Sequence, residues 1–357
     1  MTGSPFELGV MTLGEYVSDA KTGKTINAQQ RIKEIVDAAR LADEAGLDVF
    51  GVGEHHALDF AVSAVPVVLG AIAQATQRIR LTSAVTILST SDPVREFEQF
   101  ATVDLLSGGR AEMIAGRGAF IESFPLFGLD LADYDKLFAE NLELMIKLNE
   151  SERVTWQGQF RSPLENAEIA PRPVQDKLPV WIGVGGTPES AIRAGRLGLP
   201  MVIAIIGGSW RQFVPLANIY RSAGEKAGHD ASQLKTAITS YVHLADTQQQ
   251  AIDTFYPYHA HYFDQIGVRR GRNMRISRSD YERMTGPDGA YFVGSPQQVI
   301  DKILAQHEAF GHQRFMAQID IGGQPYAQVA RTIERFAAEV VPVIRRETAA
   351  KAIEPSN

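Results

Sequence analysis

Leu47-Asp48-Val49-Phe50-Gly51-Val52-Gly53-Glu54-His55-His56 is the stretch whose reading settles the architecture. It starts as an apolar, β-branched run, the composition of a strand buried on both faces, and ends on three adjacent polar side chains. Just before it, Ile32, Ile35, Val36, Ala39 and Ala42 recur at helical spacing, and Gly46 supplies the helix stop. Earlier still, Phe6 to Leu13 has the same strand character. Strand, amphipathic helix and strand make one βαβ unit. Its two strands lie parallel, joined by a right-handed crossover.

The unit repeats along the chain. Pro66 to Gln77 reads as a helix and Ile79 to Leu88 as the third strand. Asp92 reads as an N-cap with Pro93 at the first helical position, and Val94, Phe97, Phe100, Ala101 and Leu105 give that helix one apolar face. The turn Ser107-Gly108-Gly109 leads to strand Ala111 to Ala115, and Asp133 to Leu148 is helical. Val180 to Val184, Met201 to Ile206, Thr236 to Leu244 and Arg314 to Ile321 bring the strands to eight. Helices open at Thr187-Pro188, run through Ala227, lie near Gln249 to Phe263, and start at the capping box Ser295-Pro296-Gln297-Gln298. Val329, Ile333, Phe336, Val340 and Ile344 mark the last one. Eight such units is the count of an α/β (β/α)8 TIM barrel, whereas an open doubly wound sheet usually has about five or six strands.

Two stretches break the rhythm. Glu150 to Leu178 carries several prolines and a hairpin-like Val154 to Phe160, and reads as an insertion after the fourth strand. Ile266 to Tyr291, basic and irregular, reads as a mobile insertion between the seventh and eighth strands and as a candidate lid. No linker divides the chain, so a single domain is expected over 1–347, followed by a disordered tail over 348–357.

Composition narrows the function. The 357 residues are 45% hydrophobic and 22% charged, ordinary globular values. With 35 Lys+Arg against 42 Asp+Glu, the net charge of -7 gives no global footprint for nucleic acid or an anionic membrane. Arg269, Arg270, Arg272, Arg275 and Arg278 therefore read as a solvated loop, or as one that closes over an anionic ligand. Absence of cysteine excludes disulfides, thiolate zinc sites and cysteine nucleophiles. No apolar run reaches the roughly 18 residues that span a bilayer, and Met1 to Leu13 lacks a secretory pattern. A cytoplasmic protein is expected.

In a barrel the chemistry sits at the carboxyl ends of the strands. Here these ends carry Glu54-His55-His56, Thr86 to Thr90, Gly116-Arg117-Gly118, Gly185-Gly186-Thr187, Gly207-Gly208 and Asp320. Gly185-Gly186-Thr187-Pro188 sets a flexible loop at a helix start, where free N–H groups and the helix dipole favour an anion. Arg117 would add a charge-assisted clamp worth about 1.5–3 kcal/mol. Plain turn chemistry accounts for the glycines equally well, and Glu189 opposes an anion. Proline at 188 excludes a G-x-G-x-x-G fingerprint, and no Gly-Lys-Ser/Thr follows. Adjacent residues at a strand end point in different directions, so Glu54, His55 and His56 do not all face one ligand. A pocket histidine acting as acid, base or donor fits best. A structural histidine stays open; a metal site would need His243 or Asp320 as well, and no metal is expected. Phe255, Tyr256, Tyr258, Tyr262 and Phe263 read as helix packing.

An ordered set of motifs carries a resemblance. Leu47 to His56, Leu81-Thr82-Ser83-Ala84-Val85, Asp92-Pro93-Val94-Arg95, Ser107-Gly108-Gly109-Arg110 and Gly116-Arg117-Gly118 resemble the luciferase-like monooxygenases. Pro179-Val180-Trp181-Ile182 to Gly186, Leu199-Pro200-Met201 and Val293-Gly294-Ser295-Pro296 continue the match, which runs from about Leu8 to Val343. The resemblance implies a barrel, a homodimer, and reduced FMN and O2 acting on a small organic substrate, with a separate flavin reductase. One branch of the family uses F420 instead. It further implies that Arg117, Gly118 and the Gly185-Gly186-Thr187 loop hold the flavin phosphate, and that Ala84-Val85 is a non-proline cis peptide beside the ring. Met11, Thr12, Ile205, Gly207 and Gly208 would lie near the cofactor. His55 matches the histidine that assists the oxygen chemistry, with His56 beside it. Two departures stand out: Asp135 where some relatives have a second arginine, and Ile205 where bacterial luciferases have a tryptophan. They argue against aldehyde luminescence. Alternatives are an F420-dependent oxidoreductase on the same barrel, a phosphate-binding isomerase or metal hydrolase, and a flavin-storing accessory protein.

Overall fold

The computed structural model describes residues 5–351. Its centre is a ring of eight parallel strands: Glu7–Thr12, Val49–Val52, Arg80–Ser83, Ala111–Gly116, Val180–Val184, Met201–Ala204, Thr236–Leu244 and Arg314–Gln318. Each pairs with the next, and the eighth pairs with both the seventh and the first, so the ring is closed. This is the expected TIM barrel.

Side-chain alternation sorts the residues into two layers. Met11, Val49, Ile114, Trp181, Val202, Ala237 and Met316 fill the barrel interior. Their outward neighbours, such as Val10, Phe50, Leu81 and Phe315, pack beneath the surrounding helices. At the amino-terminal end of the strands Arg314 closes the floor. Its guanidinium donates to Glu112 and to Glu7 and lies 4.3 Å from the Trp181 ring centre. Burial works against this charge, and Glu112 and Glu7 more than offset it, so the guanidinium is held above its ordinary pKa.

The caps are where the sequence places them. Asp92 accepts from the amides of Val94 and Arg95, and Ser295 with Gln298 forms the capping box. The insertion after the fourth strand holds an antiparallel hairpin, Arg153–Trp156 with Leu164–Glu168.

Three expectations need correction. The third strand is not continuous from Ile79 to Leu88: it stops at Ser83 and resumes as Thr86–Ile87 beyond a cis peptide. The segment 266–291 is not an irregular loop. Helix Gln248–Arg269 runs on into it, and a further helix, Arg278–Thr285, follows. Buried Tyr281 packs against Tyr256 and His259, and the Lys302 ammonium donates to the carbonyls of Thr285 and Tyr291. Three of its arginines are not free in solvent either. Arg269 pairs with Asp59, Arg275 with Asp264, and Arg278 with Asp253 and Glu282. Finally, the last helix, Val341–Lys351, passes the boundary expected at 347, and positions 352–357 lie outside the described residues.

Candidate active site

A cavity of about 320 Å³ opens at the carboxyl ends of the strands. Of the residues singled out in the sequence, Met11, His55, Ala84, Val85, Arg117, Gly118 and Gly185 line it. The Ala84–Val85 peptide is cis, as the resemblance implies. Gly116 lets Val85 sit there, because a Cβ at 116 would fall 2.5 Å from Val85 Cγ2.

His55 is held by aromatic packing. Its ring stacks on Phe60 at 4.0 Å between centroids and meets Phe120 edge-on at 4.7 Å. Nδ1 lies 3.9 Å from Glu122 Oε1, an ion-pair distance that is too long for a direct hydrogen bond. Burial would raise the Glu122 carboxyl, but the neighbouring His55, a backbone amide and Arg269 together outweigh it. That carboxyl is held below the usual range.

His56 faces elsewhere and does not line the cavity. Its Nε2 is 2.8 Å from Glu54 Oε1, while Glu54 Oε2 accepts from the Ile87 amide at 2.8 Å. Glu54 thus braces the break in the third strand, and His56 braces Glu54. This is a positioning role, unlike the catalytic one expected for His56.

Arg117 and the Thr187 loop meet at the rim. Arg117 Nη2 donates to Thr187 Oγ1 at 3.1 Å, and Nη1 donates to Asp135 at 2.6 Å. The guanidinium lies over the Tyr134 ring, whose hydroxyl donates to the Gly118 carbonyl at 2.6 Å. Thr187 precedes helix Pro188–Arg196, and its hydroxyl is 2.8 Å from that of Ser190. One turn further stands Arg193, against the Phe138 ring, with Nη1 buried and without a hydrogen-bond partner among the described residues. Burial, then Arg117, push its pKa down. Sequence reasoning missed Arg193, although the i, i+3 spacing of 187, 190 and 193 puts all three on one helix face. Gly186 follows with φ of 128°, and a Cβ at Gly185 or Gly207 would meet nothing within 4 Å. Gly208, with φ of 72°, accepts from the Ala290 amide beside that rim.

Two expected positions are off by one. The Thr12 hydroxyl accepts from Arg31 at 3.0 Å, between the first strand and helix Ala28–Glu44, so Met11 and Leu13 are the inward pair. Ile205 is fully buried beneath the rim, and Ala204 and Ile206 line the cavity instead. Tyr262, read as helix packing, lines it too, as do Tyr241 and Gln318.

Asp320 binds Arg31, and His243 stacks on Phe255, where burial, helped by Lys21 and Arg335, pushes it down to about 4. Among the described residues no group of three or more His, Cys, Asp or Glu side chains is placed to hold a metal ion.

Comparisons with known proteins bear on the family and the fold. The chain is 23% identical over 349 residues to the oxygenase component of the flavin-dependent trigonelline monooxygenase of Acinetobacter baylyi, spanning 92% of each chain. In fold it is similar to the oxygenating constituent of 3,6-diketocamphane monooxygenase from the CAM plasmid of Pseudomonas putida, a type II Baeyer-Villiger monooxygenase solved with FMN. That match has TM-score 0.76 and 22% identity, over 96% of this chain and 99% of that one. An F420-dependent secondary alcohol dehydrogenase shares the fold at TM-score 0.71 and 18% identity, over 96% and 99%. The family model described as luciferase-like monooxygenase matches residues 7–313, and the chain belongs to that family.

Proposed function

We propose that this chain is the oxygenating component of a two-component monooxygenase, which takes reduced FMN from a separate reductase and uses O2 on a small organic substrate. The carrying observation is that Arg117 and Thr187 meet at the rim of the same cavity that His55 lines. A flavin phosphate fits the groups present. Arg193 Nη1 is a buried donor that lacks an acceptor among the described residues, and the backbone at Gly185 lies open to a ligand.

Flavin, when bound, supplies the oxygen activation. The chain's own residues do the rest. Arg117, Arg193, Thr187 and the Gly185-Gly186 backbone hold the phosphate at a helix N-terminus, and Gly118, Gly207 and Gly208 let the rim approach it. Met11, Ala84 and Val85 form an apolar seat that excludes water. His55 holds or donates a proton beside the reacting atoms. Arg117→Ala is expected to weaken FMN binding about tenfold or more, read by flavin fluorescence. Equal affinity would remove Arg117 from the phosphate site.

The shared fold with an F420-dependent dehydrogenase favours a second reading, hydride transfer with F420. Preference for F420 over FMN without oxygen uptake would establish it. The isomerase and metal-hydrolase reading is dropped, because the family is one of monooxygenases.

The reading takes the protein as cytoplasmic and dimeric. Among the described residues no helix is long and apolar enough to cross a membrane. Helices Val65–Ala75 and Pro93–Ser107 pack side by side and leave Val67, Leu105 and Leu106 exposed, an apolar strip that a second copy would cover. Light scattering should give twice the chain mass for the native protein and the single mass for Leu106→Glu. A monomeric native protein would defeat the dimer.

A further inference from the structure

The cavity has two chemically different ends. The fourth and fifth strands bring Arg117 and Gly185. Across the ring, the eighth strand brings Gln318, which lies in register with Met11 on the first strand and Tyr241 on the seventh. Arg314, Met316 and Gln318 alternate inward along that strand, so the barrel carries a cation at its floor, a thioether above it and an amide at its mouth. The Gln318 residue is only 4% exposed, and its Nε2 has no hydrogen-bond partner among the described residues. A buried amide N–H left without an acceptor is costly, and such groups mark a place where something else supplies one.

Among the described residues no free charge faces this end. The charged or titratable side chains on the cavity wall are Glu54, His55, Arg117 and three phenols, Tyr241, Tyr262 and, at the Arg117 end, Tyr134, whose hydroxyl donates to the Gly118 carbonyl. Glu54 is tied through both oxygens, and Arg117 is tied to Asp135 and Thr187. The nearby Arg269 and Arg270 are bonded to Asp59 and to the Ala119 carbonyl. Burial pushes the phenols of Tyr241 and Tyr262 well above their ordinary range, so both are neutral. An anionic substrate would leave water here without a counter-charge, which is strongly unfavourable. An uncharged molecule with one acceptor oxygen and an apolar body suits the amide and the methionines.

We propose that Gln318 is a substrate-binding residue, whose side-chain amide donates to the carbonyl oxygen of an uncharged, largely apolar carbonyl compound held opposite the Arg117 end. This rests on the flavin reading of the same cavity. The residue fixes where the carbonyl sits and thereby selects neutral substrates over sulfonates or carboxylates.

The test uses FMN-loaded full-length protein, with heptan-2-one as probe and heptane-1-sulfonate as the charged control, by calorimetric titration. Heptan-2-one should bind the native protein more tightly than the sulfonate does. Gln318→Leu should weaken the ketone about five- to tenfold, the loss of one neutral hydrogen bond, with FMN affinity within about twofold of native. Gln318→Met removes the donor at similar size and should weaken the ketone as much. Equal ketone affinity in native and Leu proteins overturns the proposal. So does tighter binding of the sulfonate by the native protein, or a loss confined to FMN affinity. Failure of the native protein to bind FMN defeats the flavin reading itself, whereas intact FMN binding with ketone affinity indifferent to position 318 defeats only this one.

Discussion

His55→Gln is expected to lower turnover by about 100-fold or more while leaving FMN affinity within about twofold of native. The expectation comes from elimination within the cavity wall. Glu54 has both oxygens engaged, and burial holds the three phenols, Tyr134, Tyr241 and Tyr262, above their ordinary range and neutral. His55 is the remaining acid–base side chain on that wall, and Glu122, its carboxyl held below the usual range, stands 3.9 Å from its Nδ1. Glutamine keeps the bulk between Phe60 and Phe120 and keeps a donor, but it cannot carry a proton back and forth. The measurement is product formed per oxygen consumed, alongside a flavin titration. Native turnover in His55→Gln would make the histidine a packing residue.

Glu112→Ala is expected to cost about 3–5 kcal/mol of stability, the typical result of removing one partner from a buried ion pair. Arg314 and Glu112 are both almost wholly shielded from solvent, and only Glu7 would remain to balance the guanidinium. Urea denaturation should show the midpoint falling with an unchanged slope. The double variant Glu112→Leu with Arg314→Met should recover most of the loss, because apolar replacements of similar size remove the buried charge as well as its partner. A single variant as stable as the native protein would show that Glu7 and the Trp181 face suffice for Arg314.

The barrel was legible because each strand ends in a turn signal and each helix shows one apolar face. Asp92 and Ser295 marked helix starts through residues only two or three positions away, so local chemistry sufficed. The parity of the strands was not legible. Met201 to Ile206 is apolar on both faces, and a strand buried on both sides gives no alternation from which to tell Ile205 from Ile206. The same ambiguity set Thr12 in place of Leu13. The segment 266–291 misled for a different reason. Its arginines look solvated in isolation, and the carboxylates that bind them, at 59, 253 and 264, come from other parts of the chain. Gln318 carried no motif at all; its significance comes from its two strand neighbours.

The pairing of Arg117 with Asp135 has a kinetic corollary. On the proposed flavin reading, Arg117 is already neutralised before the cofactor arrives, so an incoming phosphate would gain only the difference between its own attraction for that guanidinium and that of the aspartate. Asp135 then stands ready to retake the arginine whenever the phosphate leaves. Such a competitor would lower occupancy but quicken exchange, the behaviour that the proposed two-component reading requires of an enzyme that borrows its cofactor for a single round and hands it back.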